Sequence, residues 1–154
     1  MTVELIGALA EVVAALGGIV IGTFGVYTYY NDKKRTAQRD TLEAYTELQM
    51  NTFNKLNTWL PSEIKEAAED KTSDGFKELG GYLADIERFC VGINEGIYDF
   101  DTFYKISHGY FDNDRGGLIT KLVPIIEVKN NYADQDYFSN IHKVWNDMEK
   151  YNKS

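Results

Sequence analysis

Few side chains in this sequence are of the types that make or break bonds. There are two histidines, His108 and His142, and one cysteine, Cys90. A general base working near neutral pH is most often histidine, and a thiol or hydroxyl nucleophile needs such a base beside it. The histidines fall in separate predicted helices, and Cys90 follows Phe89 on an apolar stripe, where a thiol serves as a small core hydrophobe. Asp99, Asp101, Asp112 and Asp114 crowd one stretch, but the spacing of a calcium loop with its closing Glu does not occur. They read as helix caps and solvated loop residues. No Gly-rich phosphate loop, dinucleotide fingerprint, H-E-x-x-H pair or G-x-S-x-G elbow is present. The expectation is a protein that is not an enzyme and needs neither cofactor nor metal.

Composition narrows the alternatives. The chain has 154 residues, 16 Lys and Arg against 24 Asp and Glu, and a net charge of −8. That length suits one domain with one appended element. A single cysteine excludes an intrachain disulfide framework. The acidic balance disfavours nucleic acid, which is bound through clustered Lys and Arg. The charge is also unevenly distributed. All 16 basic residues lie at or after Lys33, and the first 31 positions carry only Glu4 and Glu11.

Val12 to Asn31 is an uncharged run of 20 residues. As a helix rising about 1.5 Å per residue it would extend about 30 Å, the thickness of a bilayer's hydrocarbon core. A signal peptide would open on basic residues, whereas this N-terminus is acidic, and a buried core helix is normally shorter. The run therefore predicts a membrane-spanning helix over 1–31. Lys33, Lys34, Arg35 and Arg39 follow it directly, which orients the N-terminus outside and the C-terminal part in the cytoplasm. Tyr27, Tyr29 and Tyr30 stand where an aromatic belt would anchor the helix among headgroups.

At about 100° per residue, Gly7, Glu11, Ala14, Gly18, Gly22 and Gly25 share an arc of about 80°, opposite Val12, Leu16, Ile19, Val20 and Phe24. Small faces of this kind let helix backbones approach in lipid. The face predicts self-association, with a homo-oligomer and the lipid bilayer as partners. Glu11 lies on it and keeps two readings: a carboxylate reaching the interface, or one of a ring lining a pore.

Downstream the spacing predicts helices only. A juxtamembrane helix over 32–60 carries Leu42, Tyr45, Leu48, Met50, Phe53, Leu56 and Leu60, and Pro61 ends it. The domain at 61–154 begins with a polar helix from Ser62 to Asp70 with Ser62 as its cap, then a turn at Thr72 to Gly75. The best-patterned helix follows, with Phe76, Leu79, Leu83, Ile86, Phe89, Cys90 and Ile93 as its stripe and Gly96 just past its end. Glu87 and Arg88 could pair within it, and Trp59 and Trp145 read as core or interface anchors. Asp99 caps a short helix through Phe103, Tyr104 and Ile106, and Asn113 to Gly117 forms a loop. Two helices near Leu118–Asn130 and Asp134–Tyr151 complete the chain, with Pro124 kinking or starting the first. The expected fold is all-α: a transmembrane helix continuing into a cytoplasmic bundle of four or five helices.

The segment Tyr82 to Phe111 resembles a bacterial domain family of unknown function, made of small proteins with one N-terminal span and an α-helical cytoplasmic domain. The residues that carry the resemblance are Glu87, Gly92, Gly96, Ile97, Asp99 and Tyr104, with the later Pro124 and Trp145. The family supplies no activity. The arrangement of one span and a compact helical domain is also similar to membrane accessory proteins of antiviral systems, including those beside RNA-cutting CRISPR effectors. That likeness implies an oligomeric pore or membrane-perturbing effector of the bacterial inner membrane. The ribonuclease signature of such domains, an Arg four to six residues before a His, precedes neither His108 nor His142. A membrane-tethered adaptor or scaffold that binds a cytoplasmic protein is the alternative, and a degenerate helical ribonuclease is the third reading; the partner or trigger expected of the domain is a cytoplasmic protein or a small ligand.

Overall fold

The computed structural model describes residues 3–107, 109–111, 117–130 and 137–152, with their side chains except at 3–16 and 130. Among these residues the secondary structure is helical, without a strand. The chain divides into two compact units, Met1–Thr36 and Ala37–Ser154. Helix α1 runs Val3–Leu48.

In the first unit every residue from Gly17 to Tyr30 is exposed, including Ile19, Val20, Ile21, Phe24 and Val26. Thr23 and Thr28 turn their hydroxyls back onto the helix, donating to the carbonyls of Ile19 (2.9 Å) and Phe24 (2.9 Å). These two hydroxyls are thus satisfied within the helix. Among the described residues no helix is long and apolar enough to cross a membrane. The expected span is therefore not met there: from Gly17 the sequence runs into Asp32, Lys33 and Lys34, while Val12, Val13 and Leu16 precede the described side chains.

The second unit is built around α4 (Asp74–Asn94), which packs against α7 (Ser139–Asn152), α3 (Pro61–Glu69) and α6 (Leu118–Asn130). All seven residues of the predicted stripe are buried, Leu79, Leu83, Ile86 and Cys90 completely. Ser73 caps α4, its Oγ accepting from Phe76 N–H at 3.0 Å. At the other end Gly96 adopts φ 69°, with Gly96 N–H donating to Ile93 O (3.1 Å) and Ile97 N–H to Gly92 O (2.9 Å). This is a Schellman closure, which glycine enters without steric cost.

The segment after Leu48 departs from the expected regular helix. Gln49–Phe53 forms a π-helical turn, followed by α2 (Asn54–Leu56). Leu48 and Phe53 are five residues apart, and an α-helix at about 100° per residue would turn Phe53 about 140° off the face of Leu48. The wider turn absorbs the extra residue. Phe53 and Leu56 are consequently fully buried, whereas Leu42, Met50 and Leu60, expected on the same stripe, are exposed. The helix also ends before Pro61, which opens α3 as its first residue. Leu60 precedes it, and Glu63 Oε2 accepts from Leu60 N–H at 2.7 Å, so Ser62 is not the cap.

Aromatic rings fill the centre of the unit. Phe53 stacks on Tyr110 (4.7 Å between centroids) and meets Tyr45 edge-on at 5.8 Å. Phe103, on α5 (Phe100–Ser107), packs edge-on against Phe111 at 5.1 Å. Pro124 lies inside α6 rather than at its start. The last helix starts at Ser139, later than expected. The expected loop at Asn113 to Gly117 falls almost wholly outside the described residues, as do His108, Asp112 and Asp114.

Candidate functional site

The π-helical turn opens a cleft of about 260 Å³ beside α4, lined among others by Glu47, Asn51, Thr52, Asp85, Arg88 and Tyr98. Thr52 is fully buried, and its hydroxyl donates to Asp85 Oδ2 at 3.4 Å. Arg88 donates to Asp85 Oδ1 at 3.2 Å, with most of its side chain in solvent. The expected Glu87–Arg88 pair is not made, because the two residues point to different neighbours.

Tyr98 forms one wall, and its place depends on a glycine. Its ring stacks on Phe89 at 5.1 Å, and a Cβ on Gly92 would lie 2.4 Å from ring atoms Cδ2 and Cε2. Gly92 provides the room and Gly96 the chain reversal that brings Tyr98 back over α4. Asp99 then caps α5, its Oδ1 accepting from Thr102 N–H (2.9 Å) and Thr102 Oγ1 (2.7 Å). Thr41 of α1, also fully buried, fixes this junction: its hydroxyl donates to Ala37 O at 2.6 Å and accepts from Asp99 N–H at 2.7 Å.

Glu87 faces α7. Its Oε1 accepts from Asn140 N–H (3.0 Å) and Asn140 Nδ2 (2.8 Å), and its Oε2 from Ile141 N–H (2.9 Å). Asn94 donates to Asn140 Oδ1 at 2.8 Å. A carboxylate on the first amides of a helix satisfies donors that have no intrahelical partner and meets the positive end of the dipole. Tyr104 donates to Asn152 Oδ1, and its ring lies 4.4 Å from Tyr151. Burial, with the nearby Glu87 carboxylate, pushes the Cys90 thiol far above its ordinary range. A thiol so protonated is a poor nucleophile.

The other predicted positions lie in the first unit or at its edge. Gly18, Gly22 and Gly25 stand open, with nothing within 4 Å of a built Cβ. Gly7, Glu11 and Ala14 lie outside the described side chains. Tyr27, Tyr29 and Tyr30 are exposed, as are Lys33, Lys34 and Arg35. Arg39 pairs with Asp40 at 3.2 Å. Among the described residues no group of three His, Cys, Asp or Glu is placed to hold a metal ion. Trp59 lies over Gly75, and Trp145 stacks on His142 at 6.4 Å.

The cleft sets a guanidinium donor, two carboxylates and an amide around an aromatic wall. Thr41, Thr52, Asn94 and Asn140 escape sequence reading because a buried threonine and a surface one have the same local pattern. The π-turn leaves a signal, the five-residue step from Leu48 to Phe53.

Fold and site together define a protein that is all-α among the described residues. The chain belongs to the family described as a domain of unknown function, DUF4760, whose model matches residues 5–148. No curated protein and no solved structure matches it.

Proposed function

We propose that the chain is a single-pass membrane protein that self-associates through the small-residue face of α1 and acts as an oligomeric pore or membrane-perturbing effector in bacterial defence. The observation that carries this reading is the exposure of apolar residues all round the helix from Ile19 to Tyr30, with Ile21 at 75% and Phe24 at 70%. Exposed apolar surface on this scale needs a cover, and a helix apolar all round suits lipid or other helices. The uncharged run from Val12, the tyrosines at 27, 29 and 30, and the cations at Lys33, Lys34 and Arg35 supply length, anchors and an orientation with the second unit inside. Gly18 and Gly22 offer backbone for close helix contact.

The cleft at the π-turn favours a second reading, an adaptor whose helical domain docks a cytoplasmic protein. Gly18→Leu and Gly22→Leu separate the two. In cells expressing the chain, membrane depolarisation should be lost in both variants, with membrane insertion unchanged. Depolarisation that persists with leucine at both positions would contradict the pore, and its absence in the parent chain as well would leave the adaptor.

A further inference from the structure

The cleft beside the π-turn leaves one charge unanswered. Asp85 is held from two sides, its Oδ2 by the buried Thr52 hydroxyl and its Oδ1 by Arg88, so this carboxylate and this guanidinium neutralise each other. Glu47 and Asn51 line the same cleft, and neither side chain has a hydrogen-bond or ion-pair partner among the described residues. Two carboxylates against one guanidinium leave the lining with an excess of negative charge. Glu43, exposed one turn before Glu47 on α1, adds to it.

The backbone supplies a separate observation. Leu48 and Phe53 would share a face at a spacing of four, so packing has no need of the extra residue, and Met50 within the turn faces solvent. What the wider turn changes is the cleft, where it sets Asn51 and Thr52 beside Asp85. Single π-helical turns occur frequently at functional sites. Tyr98 completes the lining, its ring stacked on Phe89 and admitted by the bare Gly92. A guanidinium suits both parts of this lining, being flat enough to pack on a ring and forked to give paired N–H bonds to a carboxylate. A lysine ammonium is a compact and more strongly hydrated charge. The volume, about 260 Å³, lies below the roughly 300–1,000 Å³ of a pocket for a drug-sized ligand, and fits one long side chain.

We propose that this cleft takes an arginine side chain of a cytoplasmic protein, with its guanidinium on Glu47 and Asn51 and its plane against Tyr98. The proposal rests on the adaptor reading for its partner, yet the two fail separately: depolarisation in cells decides that reading, and binding in vitro decides this one. The test titrates the isotope-labelled full-length chain in detergent micelles, followed by nuclear magnetic resonance, with a blocked Gly-Arg-Gly peptide, its uncharged citrulline counterpart and butylguanidine. The arginine peptide should saturate one site and shift the signals of residues around the π-turn, and the citrulline peptide should bind at least about tenfold more weakly, for want of the charge. Glu47→Gln, at an exposed position, should weaken the arginine peptide by about tenfold, the cost of one charged hydrogen bond. Arg88→Gln removes the competing cation and frees Asp85, and should tighten binding by about threefold, the scale of a surface ion pair. Circular dichroism verifies that both variants are folded. Absence of saturable binding, equal binding of the citrulline peptide, unchanged affinity in Glu47→Gln, or weaker binding in Arg88→Gln, the sign of an anion site, would overturn the proposal. Butylguanidine binding more tightly than the peptide would overturn a protein as the source of the group.

Discussion

Gly92 and Gly96 do different work although they stand one turn apart. Gly96 is needed for its positive φ, and Gly92 because Tyr98 occupies the space a Cβ would take. Gly92→Ala should lower stability by about 1–3 kcal/mol, the usual cost of overpacking. In chemical denaturation the loss should shrink when Tyr98→Ala is added, since the two residues share one contact. A full, additive loss would show that the ring is not the obstacle. Titration offers a second check. Burial, then the hydrogen bond to Glu78, pushes the Tyr82 phenol from the ordinary 10.0 up to about 12. A raised acid favours the folded state while protonated, so its contribution is complete below pH 10 and falls away as the pH rises toward 12. Thermal unfolding followed across that window should show a steeper decline in the parent chain than in Tyr82→Phe. At this scale the sequence reveals residues whose role is local, such as the Asp99 cap and the Gly96 reversal. It hides Glu87 on α7 and Thr41 on Asp99, because partners 53 and 58 residues away leave no mark in local spacing.

The predicted helices and the observed ones agree best where an apolar stripe is unbroken, as on α4, whose buried positions follow the helical period throughout. They diverge at Gln49–Phe53, where the five-residue step needs a π-turn and Met50 faces solvent. The rim of that turn carries Asn51 and Thr52 into the cleft. Deleting the exposed Met50 would bring Leu48 and Phe53 to a four-residue spacing, which an ordinary α-helix keeps on one face. The variant should therefore retain most of its stability, with a loss under about 1 kcal/mol, because Phe53 and Leu56 stay buried. Deleting the exposed Ala84 from α4, where no wide turn can absorb the change, should remove several buried side chains at about 2–5 kcal/mol each and prevent folding. Urea midpoints compare the two directly. Equal losses would mean that the π-turn serves packing rather than the cleft.

Charge placement divides the molecule more clearly than its average. The acidic total conceals a first segment without a cation and a helical unit holding every cation beyond the junction. That division was legible from residue types alone, since an apolar run and its basic flank are read along the chain. The cleft at the π-turn was not, because its residues come from α1, the π-turn, α4 and the chain after Gly96. Membrane insertion and self-association form the central claim, and both act on the whole chain. The most direct test is the mass of the full-length protein extracted from membranes in mild detergent, by light scattering with the detergent contribution subtracted. The protein mass should be two or more times 17.6 kDa, reduced to a single chain by Gly18→Leu with Gly22→Leu. A parent protein with the mass of one chain would contradict it.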